Sequence, residues 1–181
     1  TCLAHLRRLG EAVDTAKELT KVDPSNAGFQ RDVALYAAQL SRLRRLAGDL
    51  PTAQSLLAQS LSIYLALTKQ DAANTDWQGE FAEAQIEHAA QERAAGNADA
   101  AGKHVQAALA ILEPLVAKSP DDRSTVLAVI GAKLMLATVT ADAQGAQQLR
   151  DDALQAIQGV KSGRGVPRLL ALQVEALAGR G

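Results

Sequence analysis

Apolar residues along this chain recur at intervals of three and four, and no stretch alternates apolar with polar as a half-buried strand would. One stripe reads Leu50, Ala53, Leu57, Leu61, Tyr64, Leu65 and Leu67; another reads Ala101, Val105, Ala108, Leu109, Ile111, Leu112 and Leu115. Punctuation between the stripes is explicit. Pro24 and Pro120 stop the helices before them, and Asn26, Asn74 and Asp122 are good N-caps for the helices that follow. Gly48 and Gly96 suit the left-handed position that ends a helix. Asp49 or Asn97 then caps the next helix, with Pro51 tolerated in its first turn. Gln144-Gly145 takes the place of the Gly-Asp pair in a weaker third copy. The pattern predicts about eight helices, at roughly 3–21, 26–47, 50–69, 74–95, 98–117, 122–142, 146–160 and 166–178. Pro114 predicts a kink or an early end to its helix, and residues 162–165 a loop before the last one.

These stops return every 48 residues: Asn26, Asn74 and Asp122; Phe29 and Trp77; Gly48 and Gly96. A fixed period of this size is the signature of a helical repeat array. The expected organisation is a single repeat domain over 1–181, with a partial repeat at 1–25, repeats at 26–73, 74–121 and 122–165, and a terminal helix at 166–181 acting as a cap. The chain opens at Thr1 almost directly inside a helix, so it reads as a piece of a longer protein.

Composition sharpens the fold class. Hydrophobic residues make up 48% but aromatics only 3%, and 37 alanines account for the difference. Alanine is the strongest helix former, so an all-α fold is favoured on composition as well as on pattern. A net charge of −1 lacks the basic excess of a general nucleic-acid binder. No apolar run approaches the length of a membrane span. Cys2 is the sole cysteine, so no intrachain disulfide is available and the compartment stays open, with cytoplasm slightly favoured over periplasm.

The spacing inside each copy resembles the tetratricopeptide repeat, which places a small residue, a turn glycine seven residues on and an alanine five further. Ser41, Gly48 and Ala53 match, as do Ala89, Gly96 and Ala101; Leu40 fills the apolar place before the small residue, where the second copy has His88. The period is 48 rather than 34, so each helix is longer by about two turns, and Arg44 and Glu92 occupy a tyrosine-like position. The run from Asp23 to Gln30, with Pro24, Asn26 and Phe29, is similar to a long-helix version of the repeat found beside catalytic or DNA-binding heads in bacterial signalling proteins. The resemblance implies a right-handed solenoid of antiparallel helix pairs (a TPR-like superhelix) that binds a protein or peptide partner along its first helices.

Charge is uneven over those first helices. Residues 26–47 hold Arg31, Arg42, Arg44 and Arg45 against Asp32, a net +3; residues 74–95 hold Asp76, Glu80, Glu83, Glu87 and Glu92 against Arg93, a net −4. Groove positions carried over from the resemblance are Arg42, Arg45, Ala90 and Arg93, with Glu83 one turn along. The candidate partner-binding groove is therefore Arg31, Arg42, Arg45, Glu83, Glu87 and Arg93. The alternative is that these are solvated faces, or that adjacent helices pair Arg with Glu internally.

Other chemistry is sparse. Phe29 and Trp77 share a repeat position and read as core packing rather than ligand contacts. His5, His88 and His104 lack the spacing of a helical metal site. Asp121-Asp122 and Asp151-Asp152 lie near helix starts, where capping and the helix dipole account for them. Gly163-Arg164-Gly165 lacks the ending of a phosphate loop. No cofactor and no enzymatic activity are expected. The function expected is a protein-interaction or scaffolding module of a bacterial signalling protein. A ligand-sensing groove for a small molecule or peptide is the first alternative, and self-association through exposed terminal helices the second.

Overall fold

The computed structural model describes residues 2–160 together with residues 172 and 174. Seven α-helices and no strand occur among them: α1 (Cys2–Val22), α2 (Ala27–Leu46), α3 (Leu50–Gln70), α4 (Thr75–Ala94), α5 (Ala98–Lys118), α6 (Arg123–Val139) and α7 (Ala143–Gly159). The expected loop at 162–165 lies outside the described residues, and of the expected terminal helix at 166–181 only Leu172 and Val174 are described, both helical.

The helix stops act as their residue types dictate. The Asn26 side chain accepts from the N–H groups of Gly28 and Phe29, Asn74 from that of Trp77, and Asp122 from that of Ser124. Gln30 and Gln78 each reach back six residues to a turn carbonyl, of Pro24 at 2.7 Å and Ala72 at 2.5 Å, which locks the turn onto the helix it opens. Gly48 and Gly96 both have φ of +84°, and Asp49 and Asn97 donate their N–H to the carbonyls of Arg44 and Glu92, both at 2.9 Å. A residue with a Cβ is strained in that conformation, which is why glycine ends both helices.

Three local expectations change. Asn97 makes no side-chain bond to α5; its amide donates to Glu92 at 2.8 Å instead. The third-copy turn is not at Gln144-Gly145. Asp142 accepts from the N–H groups of both these residues and starts α7 at Ala143, because a carboxylate satisfies free helix-start donors and glycine offers nothing. Of the two outcomes expected at Pro114, the early end does not occur: α5 runs on to Lys118 with the proline on its exposed side.

The chain forms two compact units, Thr1–Gln91 and Glu92–Gly181, with the division inside α4 rather than at a repeat boundary. In the first unit, α2 packs against both α1 and α3. One cluster joins Leu6 and Val13 to Leu40; another joins Ala34, Leu57, Tyr64, Leu67 and Ala84, with Trp77 and Phe81 against it. Trp77 thus serves the core, as its repeat position suggests. Leu50 and Leu65, counted in the apolar stripe of α3, are exposed at 40% and 45%, since a helix this narrow in its contacts buries only Ala53, Leu57, Ser60, Tyr64 and Leu67. Two serines let α2 and α3 approach closely: Ser41 Oγ donates to Ala53 O and Ser60 Oγ to Ala34 O, both at 2.8 Å and both buried.

In the second unit, α6 packs against α5 and α7. Its core is Leu127, Ile130, Leu134, Ala153, Ile157 and Leu172.

Candidate partner-binding surface

The charged positions of α2 and α4 meet across the first unit. Arg31 Nε donates to both carboxylate oxygens of Glu80, at 3.0 and 2.9 Å, and Nη2 adds a further bond to Oε1. Arg45 donates through Nε to Glu87 Oε1 at 2.7 Å and through Nη2 to Oε2 at 3.0 Å. Each is a fork-to-carboxylate geometry of the strong kind. Hydrogen bonding to Glu80 and to Glu87 raises the pKa of Arg31 and of Arg45 above its ordinary value, against an opposing effect of burial. Both arginines are thus charged at every working pH.

Burial separates the two pairs. The Arg45 and Glu87 side chains are only 17% and 9% exposed, whereas Arg31 is 36% and Glu80 17% exposed. One turn from Glu87 on α4 and from Arg45 on α2, Gln91 Nε2 donates to the buried Ser41 Oγ at 2.9 Å, and Ser41 Oγ donates in turn to Ala53 O. Tyr64 is 1% exposed and its hydroxyl makes no hydrogen bond. Burial first, and then the charge of Glu80, push the Tyr64 phenol well above its usual range.

Of the candidate groove residues, Arg31, Arg45 and Glu87 therefore spend their charge inside the first unit. Arg42 and Glu83 are exposed on α2 and α4, and Arg93 is exposed at the start of the second unit. Ala90 is buried. Glu80, Gln91, Ser41 and Tyr64 are structural participants that the sequence reading did not assign to this surface. A signal was present: Arg31 and Glu80 stand 49 residues apart, one period plus one, so opposite charges at that separation face each other when equivalent helices are neighbours.

Open clefts lie elsewhere among the described residues; one of about 670 Å³ runs over the start of α5, from Gly96 to His104, and two others lie at related places in the chain. In the first unit, α1, α2 and α3 enclose a cleft of about 590 Å³, with Val33, Ile63, Ala66 and Pro24 as its apolar part and Lys17 and Lys21 on its α1 side. In the second unit, a cleft of about 400 Å³ is lined by Pro120, Asp121, Arg123, Val126, Ala156, Gly159 and Val160. Pro24 and Pro120, Gln30 and Val126, and Ile63 and Gly159 line the two at separations of two repeat periods. Neither cleft was foreseen, because an opening is set by where helices fail to touch. Among the described residues, no three His, Cys, Asp or Glu side chains gather as they would around a metal ion, and no helix is long and apolar enough to cross a membrane.

No protein-family model matches the chain, and no curated protein matches it. Among solved structures it is similar to BtubC (BKLC) from P. vanneervenii, with a TM-score of 0.62 and 20% identity over 99% of this chain and 74% of that one. At this identity the likeness establishes a shared all-helical fold and carries nothing about activity.

Proposed function

We propose that this chain is a protein-interaction or scaffolding module, built as a right-handed solenoid of antiparallel, tetratricopeptide-like helix pairs and serving as the accessory region of a bacterial regulatory protein. The observation that carries the reading is the recurrence of the same helix stops at one spacing. Asn26 and Asn74 cap, Gln30 and Gln78 clasp the turn, and Gly48 and Gly96 close the helix at the same φ. A structure made of stacked equivalent units exposes long continuous helix surfaces, and such surfaces bind other chains. The clefts are open rather than enclosed, a form that suits a segment of another protein better than a buried small molecule.

The test is affinity capture from the source organism's lysate, comparing wild type with Arg42→Glu. Arg42 is the informative arginine because it is exposed, whereas reversing Arg45 would strand Glu87. A partner retained in near-stoichiometric amount by wild type and lost by the folded variant supports the module reading and places its surface on α2. A partner retained by both moves the surface elsewhere. No partner for either, repeated with cross-linking, overturns the reading.

A further inference from the structure

The cleft of the first unit differs from its counterpart in charge. Its lining contains Lys17 and Lys21 and no acidic residue, in a chain whose net charge is −1. The remaining lining is apolar (Pro24, Val33, Ile63, Ala66) or neutral polar (Thr20, Gln30, Gln59, Ser62). Gln30 is already engaged, its amide clasping Pro24 O, so it holds one wall in place. Lys21 pairs with Glu18 at 2.6 Å, but both side chains are about seven-tenths exposed, and an ion pair that open is readily exchanged for another. Two periods along the chain, Glu113 and Ala117 stand at the places of Lys17 and Lys21, so the basic edge belongs to the first cleft and is not a property of the repeat.

Resting on the interaction-module reading, we propose that this cleft binds a short segment of a protein partner that sets a carboxylate beside an aliphatic side chain. The aliphatic group covers Val33, Ile63 and Ala66, and the carboxylate is held by Lys17 and Lys21. Apolar burial supplies most of the affinity, while the lysine edge selects acidic over neutral or basic segments and speeds encounter. The volume lies within the range of sites that bury most of a bound group.

The test is selection of a random-peptide display library on the full chain, followed by fluorescence-anisotropy titration of the enriched peptides. The variants are Lys17→Glu/Lys21→Glu and, independently, Ala66→Trp, which fills the cleft from an exposed position; circular dichroism melting shows that each is folded. The expected result is enrichment of peptides with an acidic residue next to Leu, Ile or Val, with affinity falling about tenfold or more in either variant and on replacing the peptide carboxylate by its amide. Enriched peptides with no acidic preference, or with affinity unchanged by both variants, overturn the cleft assignment while leaving the module reading standing. Binding of the labelled chain to itself at this cleft, abolished by the same variants, overturns it by giving the place to a second copy. Absence of any enriched peptide overturns the cleft assignment and counts against the module reading as well.

Discussion

Helices α4 and α6 occupy equivalent places one period apart, yet they are stabilised by different chemistry. Where α4 carries Glu80, Glu87 and Gln91, α6 carries Ala128, Met135 and Val139. The first set is tied to Arg31, Arg45 and Ser41; in the second unit, the α6 core rests on Leu127, Ile130 and Leu134. The two helices therefore share the side-chain cap that starts them, and differ in how they stop, at Gly96 against Thr140, and in how their faces are filled. An ion pair that is well forked but nearly buried offsets its own desolvation and little more, so an apolar face of similar volume serves equally well. What the polar version adds is a fixed pairing, since each arginine has one carboxylate positioned to receive it.

That contrast is broken most severely at Glu87. Glu87→Ala leaves the Arg45 guanidinium unpaired in a largely buried place and is expected to cost about 3 kcal/mol, read as a fall in the chemical-denaturation midpoint. Arg45→Leu with Glu87→Met, the residue type at the equivalent position 135, replaces the ion pair by an apolar contact and is expected to recover to within about 1 kcal/mol of wild type. Failure of the double variant to recover would show that the charges do more than compensate each other. Next in size is Ser41→Ala, which leaves the Gln91 amide and Ala53 carbonyl without their partner and is expected to cost about 1–2 kcal/mol. The second copy has Ala89 at this position, so adding Gln91→Val, the residue type found at 139, is expected to restore much of the loss. Arg31→Ala is expected to cost about 1 kcal/mol or less, because that pair is more open to solvent than Arg45–Glu87.

The smallest effect at neutral pH is at Tyr64, and it has a sign. Burial and the nearby Glu80 raise the folded pKa of this phenol above its unfolded value of 10.0. Its contribution to stability is complete below about pH 10 and is lost as the pH rises further, because the unfolded chain ionises while the folded one resists. Tyr64→Phe is expected to move the alkaline unfolding midpoint upward and to change stability near pH 7 by about 0.5 kcal/mol or less, since the hydroxyl removed has no hydrogen-bond partner. Circular dichroism followed across pH 9–12 measures both.

Much of the fold was legible because its signals are local. Asn26, Asn74 and Asp122 satisfy helix-start donors within three residues, and Gly48 and Gly96 take a backbone conformation that residues with a Cβ resist. Such effects need no tertiary context. The misreadings fell where two local devices compete: Asp142 overrode Gly145 as the turn, and Asn97 turned its amide to Glu92 instead of capping. The surface was less legible. The residue types at Arg31, Arg45 and Glu87 predicted charge but not its destination, since a partner in solution and a partner on another helix of the same unit look alike in sequence.

The sequence by itself determined that this protein is helical, where most of its helices begin and end, and that the starts of α2, α4 and α6 recur every 48 residues. Those properties follow from hydrogen-bond demands and backbone freedom felt within a single turn. Only the tertiary structure decided that Arg31 and Arg45 are held by Glu80 and Glu87, that Tyr64 is buried beside them, and that an open cleft with a lysine edge separates parts of α1, α2 and α3. These depend on which side chains meet across tens of residues of chain and where helices fall short of contact, quantities that no local pattern contains.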